Sequence, residues 1–203
     1  MTDDEAEARQ QSILSQPLRI AELPQDELGP DLRELVHRIG AQLGYEPPEV
    51  LTTYFAVLAH HPELFKRQLD MGIFLFSGCA IPTYERELAV LRIAWTAGAP
   101  YEWGEHVDIG RKLGMTPEVT DRVRAGPDAP GWSAHEAALL RAVDEAIADR
   151  MISDATWAVL AESWSEAQLI ELPCLVGQYL GVAILQNSLR MPLARTSKGF
   201  AER

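Results

Sequence analysis

Residues 82–114 read Pro-Thr-Tyr-Glu-Arg-Glu-Leu-Ala-Val-Leu-Arg-Ile-Ala-Trp-Thr-Ala-Gly-Ala-Pro-Tyr-Glu-Trp-Gly-Glu-His-Val-Asp-Ile-Gly-Arg-Lys-Leu-Gly. The spacing predicts two helices joined by a tight corner. Leu88, Leu91 and Trp95 share one face of the first helix, and Val90, Ile93 and Ala94 widen that stripe. Thr83 is placed to cap its start, and Gly98 to supply the left-handed residue that ends it. Pro100 then suits the first turn of the second helix, where its missing N–H removes no helical bond. Glu102 and His106 are four apart and project from one face of that helix. Glu87 lies inside an otherwise apolar helix that folds back against them, and a carboxylate there needs a partner. His106 is the candidate.

The surrounding chain punctuates in the same way. Residues 1–16 are acidic and poor in apolar side chains, which predicts a flexible, solvated leader. Residues 17–203 read as one all-α domain of eight or nine helices. Pro17 to Pro24 is extended. From Pro30, Leu32, Leu35, Val36, Ile39 and Leu43 recur at helical spacing up to Gly44. Pro47-Pro48 opens a helix carrying Val50, Leu51, Tyr54, Phe55 and Leu58, and His60-His61 stops it, capping its last carbonyls. Pro62 begins the next, with Leu64, Phe65, Leu69, Ile73 and Phe76. Thr116-Pro117 starts a short helix that ends at Gly126, and residues 126–132 form a Gly- and Pro-rich loop. Ser133 and Glu136 make a capping-box pattern. Ser153 and Ser165 start two further helices, the second interrupted or kinked at Pro173. No alternating strand is evident.

Composition excludes several partners. The formal charge of −12 opposes binding to nucleic-acid backbones or anionic membranes. No stretch reads as long and apolar enough to span a bilayer, and the N-terminus lacks an apolar signal core. A cytoplasmic protein acting on a small molecule is expected. Cys79 and Cys174 form no CxxC or zinc pattern and are expected as buried free thiols. Glu87, Glu102 and His106 are a conceivable metal trio, but nothing around them supports one, and no metal site is assigned.

The stretch from His61-Pro-Glu-Leu-Phe, through Arg86-Glu87-Leu-Ala-Val-Leu-Arg and Tyr101-Glu102-Trp103-Gly104-Glu105-His106, to Gly114 resembles the carboxymuconolactone decarboxylase family, which includes the AhpD-like alkylhydroperoxidases. The resemblance implies an all-α AhpD-like bundle that assembles as a homo-oligomer, a trimer or hexamer. It covers residues 50–120 well and the C-terminal helices more loosely. In the redox branch the order is Glu, CxxC, His. Glu87 and His106 match the first and last, while the two cysteine positions fall on Ala99 and Glu102. A thiol–disulfide cycle needs both thiols, so the pattern fits a CxxC-dependent hydroperoxidase poorly. The decarboxylase branch, as the resemblance implies, uses no metal or organic cofactor and works by proton transfer.

The leading expectation is therefore a cofactor-independent acid/base lyase or isomerase. Its substrate would be a small oxygenated acid, lactone or enolisable ketone. Glu87, Glu102 and His106 would carry the proton transfers, with Tyr101 and Trp103 as pocket walls. The carboxylates would orient the imidazole and raise its pKa, or one of them would itself hold the proton. Two alternatives stand beside it. One is an atypical hydroperoxidase working through Cys79 or Cys174. The other is a non-catalytic oligomeric small-ligand binder in which Glu87 and His106 form a purely structural pair. Glu105 reads as a solvated first-turn charge, and His37 and His135 as surface residues.

Overall fold

The structure, a computed structural model, describes residues 1–24, 26–30, 32–35, 37, 51–194 and 196–203. In chain order its α-helices are α1 (Asp3–Leu14), α2 (Thr53–Leu58), α3 (Pro62–Ile73), α4 (Thr83–Thr96), α5 (Pro100–Lys112), α6 (Pro117–Ala125), α7 (Ala134–Asp149), α8 (Asp154–Ala161) and α9 (Glu166–Leu189). A π-turn, Phe74–Gly78, extends α3, and a 3₁₀ turn, Gly199–Ala201, lies near the C-terminus. No strand occurs among the described residues. The all-α bundle expected from the sequence is the architecture found among the described residues.

Local chemistry sets most boundaries. Capping boxes start α7 at Ser133 with Glu136 and α9 at Ser165 with Gln168. Ser153 caps α8, and Pro100 and Pro117 occupy first turns. The α4–α5 corner is a Schellman turn: Gly98 N–H bonds the Trp95 carbonyl at 3.1 Å, and Ala99 N–H bonds Ala94 at 2.9 Å. Gly98 has φ +60°, as the sequence predicted. Distant elements hold the corner as well. Its Gly98 carbonyl accepts from Asn187 Nδ2 at 3.1 Å and from Arg9 Nε at 3.3 Å.

Several expectations are corrected. Residues 1–16 are not a loose leader. Thr2 and Glu5 form a capping box at the start of α1, whose acidic first turn suits the helix dipole. Ala6 and Ile13 are buried, and Gln10 Oε1 accepts the Phe200 N–H at 2.8 Å. Composition missed this because one cap and two small contacts suffice once a partner surface exists. Thr83 does not cap α4; the N-cap is Pro82, without a side-chain bond. α2 does stop before His60-His61, whose backbone N–H groups bond the Val57 and Leu58 carbonyls, while the His61 side chain caps α3, accepting the Leu64 N–H on Nδ1 at 3.3 Å. Pro173 does not interrupt α9, which runs continuously through it. That continuity makes α9 long and apolar enough to cross a membrane by length and composition, contrary to the sequence expectation. Its buried residues Leu169, Leu172 and Leu175 belong to the main core. Of the helix expected from Pro30, Leu32 and Leu35 are helical and buried. Val36, Ile39, Leu43 and Gly44, and also Pro47, Pro48 and Val50, lie outside the described residues.

α4 is the central element, buried from Arg86 to Leu91 and again from Ile93 to Trp95, and it packs against α5, α6, α7 and α9. Around it lies the main hydrophobic cluster. A smaller cluster, built on Leu28, Leu32, Leu35, Leu58 and Phe65, sits beside it. The seam between the two clusters is where α5 and α9 present polar side chains. Gly98→Ala is expected to destabilise the protein by about 1–2 kcal/mol, because the left-handed backbone disfavours a Cβ and that atom would approach Arg9 Cγ to 3.2 Å. Chemical denaturation of the two proteins measures this directly.

Candidate active site

The polar chain at this seam begins with Arg86. Its Nε and Nη2 donate to Glu87 Oε1 at 2.9 and 2.7 Å, and its Nη1 donates to the Phe76 carbonyl of the π-turn. The guanidinium also lies 4.6 Å from the centre of the Phe76 ring. Glu87 Oε2 accepts from His106 Nδ1 at 2.6 Å. His106 Nε2 faces Glu102 Oε1 at 3.2 Å, the i,i+4 contact that the sequence spacing predicted. Glu102 Oε2 then accepts from Gln186 Nε2 of α9 at 2.7 Å. The structure thus brings Glu87, Glu102 and His106 together.

All five members of the chain are buried, Glu87 completely. Burial alone would push the His106 pKa down, but Glu87 and Glu102 outweigh it and raise it to about 10. Burial likewise opposes ionisation of Glu87, yet His106 and Arg86 hold its pKa below the usual carboxylate value. In the order Arg86, Glu87, His106 and Glu102 the row alternates basic and acidic side chains. Among the described residues no group of three or more His, Cys, Asp or Glu is arranged to hold a metal ion.

A cavity of about 460 Å³ opens onto one end of this row. Glu102, Glu105, His106 and Gln186 face it, against walls that include Tyr54, Phe55, Tyr101 and Tyr179. Tyr54 and Tyr101 stack at 6.2 Å, and Tyr179 meets His106 edge-on at 5.3 Å. Burial, reinforced by nearby carboxylates, raises the pKa of all three tyrosines, which keeps them as neutral phenols.

The sequence-predicted residues separate into distinct positions. Tyr101, Glu102 and His106 line the cavity. Glu87 sits one step behind it and reaches it only through His106. Trp103 does not line it. Its side chain faces the core, tilted against Trp95 at 5.2 Å, with Nε1 donating to the Glu202 carbonyl at 3.2 Å. It projects from α5 beside Glu102 in sequence, but to the other side. Glu105, expected to be solvated, is partly buried on the cavity wall, and desolvation raises its pKa. His135 is also not a free surface residue, since its Nε2 lies 3.3 Å from Glu85 and its Nδ1 3.1 Å from the Ser163 hydroxyl. Both cysteines are free; Cys174 is exposed and Cys79 only partly buried, and neither lines this cavity. Sequence reasoning missed Gln186 and Tyr179. The available signal was a set of polar side chains inside an apolar C-terminal helix.

The charge row ties stability to pH. The folded His106 pKa lies above its ordinary 6.5, so its contribution is complete below pH 6.5 and is lost as pH rises through about 10. Glu87 acts at the other end, contributing above pH 4.5 and losing that contribution as pH falls below it. His106→Gln should remove the alkaline slope in denaturation midpoints. It should also cost about 3–5 kcal/mol near neutrality, as expected when one side of a buried ion pair is removed.

Comparison with known proteins bears on the fold. Residues 62–145 match the carboxymuconolactone decarboxylase family model. No match is found among curated proteins. The AhpD-core, peroxidase-related protein from Ralstonia eutropha JMP134 superposes with a TM-score of 0.74 at 18% identity, covering 89% of this chain and 94% of that one. A peroxidase-related protein from Silicibacter sp. TM1040 gives 0.72 at 16% identity, over 89% and 95%. A variant of the debrominase Bmp8 in complex with 2,3,4-tribromopyrrole gives 0.69 at 15% identity, over 88% and 93%. At these identities the likeness is one of fold. The chain is thus similar to the carboxymuconolactone decarboxylase family over residues 62–145 and shares its helical fold with AhpD-like structures.

Proposed function

We propose that the protein is a cofactor-independent acid–base enzyme, a lyase or isomerase that moves a proton next to the carbonyl of a small lactone or enolisable ketone. The observation that carries this reading is the pairing of Glu102 with a protonated His106 at the wall of an aromatic-lined cavity. Glu102 is the base: its carboxylate takes the α-proton, and the C–H electron pair becomes the enolate double bond. The Nε2–H of His106 turns from Glu102 to the enolate oxygen and stabilises the charge that develops there. Glu102 then returns its proton to another carbon, which completes an isomerisation, or to a leaving group, which completes an elimination. Glu87 and Arg86 are positioning residues; they hold the imidazole in its charged form and fixed orientation.

The peroxidase-related and debrominase neighbours raise a thiol-based alternative. Ala99 and Glu102 stand where the redox branch places its cysteines, and Cys79 and Cys174 lie away from the cavity. This arrangement favours the acid–base reading over a thiol cycle at this site.

Deuterium incorporation from D₂O into cyclic ketones and unsaturated γ-lactones, followed by NMR, tests the proposal. Wild type should exchange α-protons above the buffer rate. Glu102→Gln and His106→Gln should each lower that rate by at least about 10²-fold, with the helical spectrum retained. Exchange at the wild-type rate in Glu102→Gln would overturn the assignment of the base.

A further inference from the structure

Gln186 is 3% exposed and sits where α9 meets the cavity. Its amide N–H bonds Glu102, which fixes the direction of the amide. The other end, Oε1, is buried without a hydrogen-bond partner. A buried acceptor left in that condition carries a desolvation penalty that a ligand O–H or N–H would relieve. The same amide is therefore tied to the base at one end and left without a partner at the other, on a residue of the cavity lining.

The charges around the cavity give a second, independent constraint. Among the described residues lining it there is no Lys or Arg. His106⁺ is already matched by Glu87⁻ and Glu102⁻, and the charge of Glu87 is shared with Arg86. Glu105 adds either a further negative charge or, if protonated, none. A carboxylate ligand would lose part of its hydration here with no free cation among the described lining residues to meet it, which is unfavourable. The aromatic walls suit a flat, apolar ring.

Building on the acid–base reading, we propose that the cavity takes an uncharged cyclic or aromatic compound that donates one O–H or N–H to Gln186 Oε1, so that Gln186 selects the substrate and aligns it on Glu102. Anionic lactones and keto acids are then poor ligands, although the resemblance read from the sequence allowed them.

Three probes of similar shape separate these features: 2-naphthol, which is neutral with a donor; 2-methoxynaphthalene, which is neutral without one; and 2-naphthoate, which is anionic. Calorimetric titration of the full chain should show 2-naphthol binding about tenfold tighter than the ether, and naphthoate weaker than either. In Gln186→Met the preference for naphthol over its ether should collapse towards one. That ratio is measured within each protein, so a general loss of stability does not mimic the result. Equal binding of naphthol and ether by the wild type, tighter binding of naphthoate, no saturable naphthol binding, or an unchanged ratio in Gln186→Met would each overturn the inference. Donor-selective binding without proton exchange would leave it standing and remove the acid–base reading. Exchange with binding indifferent to the hydroxyl would do the reverse.

Discussion

The site depends on one electrostatic condition: four ionised side chains are withdrawn from water together, and their charges alternate along the row. Each of them alone would lose several kcal/mol of hydration on burial. In sequence Arg86-Glu87-His106-Glu102, every charge has an opposite neighbour at hydrogen-bond distance, so the row as a whole is neutral. Such a row contributes little net stability compared with apolar side chains of the same volume. What it contributes is definition. Each member has its rotamer fixed by a directional bond to the next, and an imidazolium persists where burial alone would favour the neutral ring.

The helices are arranged to satisfy that condition. Arg86 and Glu87 are consecutive on α4 and point to neighbouring sides of it, so one carboxylate is gripped by its own helix and by α5. The Gly98 corner sets the distance between the two helices, and it is held by Arg9 from the first helix and Asn187 from the last. The smaller hydrophobic cluster closes the open side, with Tyr54 and Phe55 of α2 standing across the cavity from His106 and Tyr179. The interior position of the row and the enclosure of the cavity are two results of the same packing.

Much of this was legible in residues 82–114. Periodicity located α4 and α5, Gly98 and Pro100 located the corner, and the i,i+4 spacing put Glu102 beside His106. The pairing of Glu87 with His106 followed from asking what a carboxylate inside an apolar helix requires. Depth was not legible. Glu105 looked solvated because first-turn glutamates usually are, and its partial burial comes with its place on the cavity wall. Trp103 and Tyr101 looked equivalent as aromatic walls. A shift of two positions on a helix turns the side chain by roughly 200°, and that separates a residue lining the cavity from one in the core. The partner of Glu102 comes from more than eighty residues downstream, a distance no local pattern encodes. The helix at the N-terminus was hidden for a related reason: its few buried contacts are made with the C-terminal turn.

The placement of Gln186 and Tyr179 on the last long helix has a consequence for biogenesis. As the chain is made from its N-terminus, α4 and α5 emerge while α9 is still unmade, and Glu102 and His106 must wait in water with their charges hydrated. Only when the final helix docks are they sealed from solvent, given their last hydrogen bond and faced with a cavity wall. Competence is thus a property of the finished chain: without the last helix the corner loses Asn187, Glu102 loses Gln186 and the cavity loses a wall.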